Sequence, residues 1–479
     1  MVKRIAFPVI ITLIAFVLIQ SYSCKSTEKQ DLELSPLFSD NMVLQRNEEV
    51  AIWGKADAGQ KLTINTTWGQ EESTKVNGDG TWNMKIKTTS AKGPQQLTVS
   101  TIDSTVTFSN VLLGEVWLAS GQSNMEMPLT GYLPDEPVDN YEQEIENSEN
   151  PLLRMFTVKR KQSNIPLDTL IGTWQQSNPE NARKFSATAY FFARKLIKEL
   201  EVPVGIIHSS WGGSEAEAWV SKAGLNEFPE FIVEVEQQEG NVDYMSTESP
   251  NELSACLYNG MIHPIIPYTL KGAIWYQGES NIGRAKQYET LFPRLIEDWR
   301  SKWNANFSFY YAQIAPYGYN SNDLSADLRD AQRKSLHMEK TGMAILLDIG
   351  EQTNIHPGNK QDVGKRLAYL ALAYDYGEDI VYSGPLFKKQ TIKGRYIYLD
   401  FDFIGKGLMT KQNPIPYFEI SNDRENFKPA QAKIVGNQIE VFSPEVQKPF
   451  FVRYGWKDYL EPTVFNSAGL PMSSFSTAN

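Results

Sequence analysis

Between about residues 111 and 377 the chain alternates short apolar runs with stretches of helical periodicity. No other feature constrains its fold as much. Residues 116–119, 204–208, 273–276, 309–314 and 344–347 read as buried strands. Ser186 is placed to cap a helix whose apolar positions include Tyr190, Ala193, Leu196, Ile197 and Leu200. Tyr288, Leu291, Leu295, Ile296 and Trp299 mark a second helical face. Strands alternating with helices imply an α/β domain, with a mostly parallel sheet and helices on both faces. Ligands of such sheets bind beyond the carboxyl ends of the strands.

The flanking segments read differently. From about residue 34 to 107, period-two runs such as 50–54, 61–64 and 81–86 are broken by turn signals, Asn77-Gly78-Asp79-Gly80 among them. We expect a β-sandwich there. From about 379 onward, runs at 396–401, 433–435 and 450–454, with a hairpin across 419–426, predict a second one. The expected organisation is a leader over 1–24, an N-terminal β-sandwich over 25–109, a central domain over 110–377 and a C-terminal β-sandwich over 378–479. No internal repeat marks a solenoid or propeller. The acidic stretch 135–149 reads as a solvated loop or helix face.

The first residues look like an address and not part of the fold. Lys3 and Arg4 precede an apolar run over residues 5–19, too short for a membrane span and shaped like the core of a signal peptide. Ser21-Tyr22-Ser23-Cys24 follows, a loose lipoprotein-processing site. The expectation is an exported bacterial protein, periplasmic or in the outer membrane, whose membrane contact is a lipid anchor on Cys24. An ordinary signal peptide is the alternative. A lipidated Cys24 leaves Cys256 as the one unmodified cysteine of the sequence, so no intramolecular disulfide is expected. The net charge of −11 argues against nucleic acid as a ligand. Oligomeric state cannot be read from the sequence.

Four strand ends carry chemistry. Gly121-Gln122-Ser123-Asn124 closes the first apolar run, and a serine on such a turn can act as a nucleophile if a histidine reaches it. Ser209-Ser210-Trp211-Gly212-Gly213 offers backbone N–H groups. Trp275-Tyr276-Gln277-Gly278-Glu279-Ser280-Asn281 offers side-chain amides that can donate to an oxyanion. Asn354-Ile355-His356-Pro357 lies between the last strand and the last helix. The chain has four histidines. His208 sits in a strand, His263 in an apolar stretch and His337 in a helical run, which leaves His356 as general base. No paired-histidine motif, CxxC or phosphate loop is present, so no metal site is expected.

These blocks, in this order, resemble the SGNH hydrolase superfamily in its branch of sialate O-acetylesterases and related carbohydrate acetylesterases. The resemblance extends to Leu37-Phe38-Ser39-Asp40-Asn41-Met42-Val43-Leu44-Gln45-Arg46 near the start. It includes Gly114-Glu115-Val116-Trp117 and Met125-Glu126-Met127 around the serine, and Val452-Arg453-Tyr454-Gly455-Trp456 and Asn466-Ser467-Ala468-Gly469-Leu470-Pro471 near the end. It implies a three-layer α/β/α central domain, Ser123 as nucleophile and His356 as base. The implied oxyanion hole is the Ser123 N–H, a glycine N–H from Gly212 or Gly213 (Gly213 favoured) and the Gln277 side chain. Gln122, Asn124, Trp211 and Asn281 are substrate-binding candidates.

The third member of the triad departs from the superfamily pattern. An aspartate often stands three residues before the histidine, and here that position is Thr353. Glu279 ranks first as the acid that orients His356, with Asp348 and Glu351 as alternatives and a backbone carbonyl as another. The implied reaction is hydrolysis of acetyl esters on sugars, without a cofactor. Acetylated sialic acid or another acetylated glycan is the expected substrate. Acetylxylan or another polysaccharide is the alternative, and a non-catalytic carbohydrate-binding protein is the rival of another class. Loops such as 131–150 are expected to choose the substrate.

Overall fold

The computed structural model describes residues 31–240, 249 and 251–478. The expected leader over 1–24, with Cys24, lies outside the described residues. Among the described residues no helix is long and apolar enough to cross a membrane.

The central sheet is built on β1 (Thr105–Gly121), β2 (Asn150–Thr157), β3 (Trp174–Ser177), β4 (Val204–Ser210), β5 (Gly272–Tyr276), β6 (Ser308–Ala312) and β7 (Thr341–Ala344), in the order β3-β2-β4-β1-β5-β6-β7. Its pairs are parallel except for the outer β2–β3 pair. Side chains of β1 alternate between two cores. Val116 and Leu118 face one, and Trp117 and Ala119 face the other.

A short helix, α1 (Ser123–Glu126), follows β1, and longer helices cover both faces. On the first lie α3 (Ala285–Trp303) and α4 (Leu324–Lys334), with Tyr288, Leu291, Leu295, Ile296 and Trp299 buried as their spacing predicts. On the second lie α2 (Ala187–Leu200) and α5 (Lys360–Tyr374). Ser186 caps α2 by accepting a hydrogen bond from Ala189 N at 3.1 Å. A Cβ on Gly364 of α5 would fall 2.6 Å from Phe191 Cβ, so glycine is what lets the two helices approach this closely. The predicted three-layer α/β/α arrangement is therefore present.

Two boundaries differ from expectation. β7 runs over Thr341–Ala344, whereas the apolar run suggested 344–347. Residues 345–347 are buried, but the parallel register with β6 ends at the Ala312–Ala344 pair, so they continue as buried loop. The proposed division at 109/110 falls inside β1. The first half of that strand pairs with Gln95–Ser100 in the N-terminal β layer, and its second half is the middle of the central sheet. The C-terminal region holds a seven-stranded antiparallel sheet. It includes the expected hairpin, formed by Ile415–Ser421 and Lys428–Val435.

Candidate active site

Gly121 stands between Ser210 of β4 and Tyr276 of β5 in the sheet register, so the loops after β1, β4 and β5 leave the sheet at one level. At this point the chain switches from building one side of the sheet to building the other, and such switch points open a crevice. Gly121 has φ +140°, and a Cβ there would lie 2.1 Å from Tyr276 O. Only glycine fits, and the turn it permits delivers Ser123 to the start of a short helix, Ser123–Glu126.

Ser123 Oγ lies 2.8 Å from His356 Nε2. His356 Nδ1 lies 2.8 Å from Glu136 Oε2. With its Nδ1–H donated to the carboxylate, His356 presents Nε2 as acceptor for the Ser123 hydroxyl. The loop that carries His356 is organised by Asn354, whose Oδ1 accepts from His356 N at 2.8 Å and whose Nδ2 donates to His356 O at 3.0 Å. The Tyr132 ring packs edge-on to the imidazole, and its hydroxyl donates to Ser123 O at 3.1 Å. Burial holds the His356 imidazole below the usual histidine range. The Glu136 hydrogen bond and charge oppose that shift, and the charge of Lys360 adds to it.

The orienting acid is thus not one of the three expected from the sequence. Glu279 is buried and accepts instead from Asn124 Nδ2 at 2.7 Å. Asp348 forms a two-pronged pair with Arg366, at 2.6 and 2.8 Å. Glu351 accepts from Gly358 N at 2.8 Å and so shapes the histidine loop from below. Glu136 belongs to the acidic stretch read as solvated. In the fold its two-residue strand, Glu136–Pro137, pairs with Gly131–Tyr132, and this ribbon lays the carboxylate against His356. The sequence signal is faint: one glutamate between two prolines, on a loop that follows the nucleophile.

Among the described residues, the N–H groups of Ser123 and Gly213 have no hydrogen-bond acceptor. Gly212 N–H is already given to Glu126 Oε2 at 2.7 Å, which favours Gly213 of the two glycines. Glu126 is held in turn by Arg160, 2.7 Å from Nε to Oε1. Gln277 does not join them. Its amide donates to Asn281 Oδ1 at 2.6 Å and to Ser214 O at 3.2 Å, so it braces the glycine turn and has no hydrogen left for an oxyanion. Asn281 also accepts from Ala216 N and donates to Glu217.

Gln122 Oε1 accepts from the backbone N–H of Gly278 and Ser280. Asn124 is likewise saturated by protein partners. Asn124 and Asn281 therefore tie strand-end loops together, and Gln122 does so through its carbonyl oxygen. Trp211 remains half-buried at the surface, with the Arg160 guanidinium 5.3 Å from its ring centre. Among the described residues no cluster of His, Cys, Asp or Glu is arranged to hold a metal.

A family model of carbohydrate esterases, described as sialic acid-specific acetylesterases, matches residues 113–373. The chain belongs to this family. It is 32% identical over 490 aligned residues to the sialate O-acetylesterase of Homo sapiens, covering 91% of each chain. It is 31% identical to that of Pongo abelii with the same coverage. A carbohydrate acetylesterase from Xanthomonas citri superimposes with a TM-score of 0.85 at 34% identity, covering 93% of this chain and 99% of that one. The carbohydrate esterase is thus a carboxylic-ester hydrolase, and its family motifs meet at the crevice occupied by Ser123 and His356.

Proposed function

We propose that this esterase removes acetyl groups from sugars through a serine acyl-enzyme, with O-acetylated sialic acid as its substrate. The observation that carries the mechanism is the Ser123–His356–Glu136 chain, with two successive contacts of 2.8 Å. His356 Nε2 takes the Ser123 proton as Oγ attacks the acetyl carbonyl carbon. The oxyanion that forms accepts hydrogen bonds from the N–H groups of Ser123 and Gly213. Glu136 holds the Nδ1–H and stabilises the imidazolium. His356 then gives its proton to the departing sugar oxygen, leaving acetyl-Ser123. A water, deprotonated by His356, attacks this ester and releases acetate, and the proton returns to Ser123.

The names and extent of the relatives support the choice of sugar. The leader supports the location: Lys3, Arg4 and the apolar run over 5–19 fit export, with Cys24 as a lipidation site. The deciding experiment compares acetate release from 9-O-acetylated sialic acid and from acetylxylan. A higher kcat/KM on the sialic acid is expected. A preference for acetylxylan would move the esterase to plant polysaccharide. A non-catalytic sugar-binding role would leave Ser123 unlabelled by an organophosphate, whereas the serine arrangement calls for stoichiometric labelling.

A further inference from the structure

Lys360 opens α5 and is fully buried. Burying an ammonium costs several kcal/mol unless partners compensate it, so a lysine here needs a reason that an aliphatic side chain would not meet. Its Nζ donates to Pro357 O at 2.8 Å and to Asn124 Oδ1 at 2.7 Å. Asn124 Nδ2 donates to Ile355 O at 3.1 Å and to Glu279 Oε1 at 2.7 Å. The carbonyls on either side of His356, those of Ile355 and Pro357, are therefore both held from beneath. Both ties meet at Asn124, the residue immediately after the nucleophile. Glu279, buried on the far side of Asn124, supplies the opposite charge, and its second oxygen has no partner among the described residues.

We propose that Lys360 is a positioning residue for the ester hydrolysis: through Asn124 it locks the His356 loop to the Ser123 turn, with Glu279 as counter-charge. The proposal rests on the serine-esterase reading given above. An unlocked loop loses the Ser123–His356 contact but still admits the sugar, so the loss falls on kcat. Burial pushes Lys360 down to about 7, against the pull of Glu279, Glu351, Glu136 and Asp139. The lysine charge in turn favours the neutral, base-competent form of His356.

The test measures kcat and KM on 4-nitrophenyl acetate for Lys360→Met and for the double variant Lys360→Met/Glu279→Gln. The single variant leaves a buried carboxylate uncompensated and can fail to fold. The double variant removes both charges with little change of shape. We expect the folded double variant to lose about 10- to 100-fold in kcat, with KM within about twofold and the thermal midpoint close to wild type. A kcat within about twofold of wild type overturns the proposal. So does a loss that tracks a lowered midpoint and raises KM equally, because that is a purely structural effect. Failure of the underlying reading looks different: wild-type protein would then be inactive, and Ser123 would not react with the organophosphate.

Discussion

Glu136 reaches His356 from a ribbon of two-residue strands, and its carboxylate oxygen lies 2.8 Å from the imidazole Nδ1. Replacing Glu136 with Gln keeps the shape and removes the charge that stabilises the imidazolium. We expect kcat to fall on the order of 10²-fold or more, and Glu351→Gln to fall by less because Glu351 supports the loop through Gly358 N and the Asn354 amide and does not touch the imidazole. Steady-state kinetics on an acetate ester check the ranking. Equal losses in the two variants would return the orienting role to the loop before His356.

Ser123→Ala removes the attacking oxygen and leaves the turn intact, because the turn depends on Gly121 and on the bonds Ser123 O accepts from Met127 N and the Tyr132 hydroxyl. Turnover should drop by roughly 10⁴-fold or more with the circular dichroism spectrum unchanged. Near wild-type activity would refute the nucleophile assignment.

The pH dependence follows from which form of His356 can accept a proton. Burial lowers its pKa below the ordinary 6.5, so the neutral base persists into mildly acidic solution. The acid limb of kcat/KM should have its midpoint below pH 6.5. Glu136 raises the His356 pKa, so the residual activity of Glu136→Gln should show a limb displaced to still lower pH. A displacement upward would contradict the hydrogen bond.

His208 gives a separate signature in stability. Buried in β4 beside Ser210 Oγ, it is pushed down to about 4 by burial, with the charge of Arg160 adding to the shift. Unfolded, it titrates near 6.5, so between about pH 4 and 6.5 the unfolded chain binds the extra proton. Stability from this group is complete above pH 6.5 and is lost as pH falls through that window. The loss is about 2 kcal/mol between pH 7 and 5. Urea unfolding at the two pH values should show this decrement, and His208→Asn should remove it.

The positions of Ser123 and His356 were legible because the sheet forces them. A strand, a glycine turn and a serine make one local pattern, and elimination among four histidines supplied the base. Glu136 was not legible, because its ribbon has no apolar periodicity and it is one of several acidic residues in the 135–149 stretch. Gln277, Asn124 and Asn281 were misread for the opposite reason. Polar side chains at strand ends looked idle unless catalytic, but converging loops have backbone groups that need partners, and these amides serve them. The boundary at 109/110 was misplaced because the alternation breaks there on a β-bulge: Asn110 takes φ +56°, the register with Gln95–Ser100 shifts, and the same strand then continues to Gly121.

That continuous strand has a mechanical meaning. Residues at the start of β1 are hydrogen-bonded into the N-terminal layer, and Gly121 at its end sets the turn of the nucleophile. Between them the strand carries one irregularity, at Asn110, where φ is +56° and the register with Gln95–Ser100 shifts, and Asn41 N and Val43–Gln45 tie the backbone on either side of it. The N-terminal layer is therefore continuous with the strand on which Ser123 is mounted, and cutting it away would free one end of that strand. One strand thus serves two masters, seating the N-terminal layer at its start and setting the turn of the reacting hydroxyl at its end.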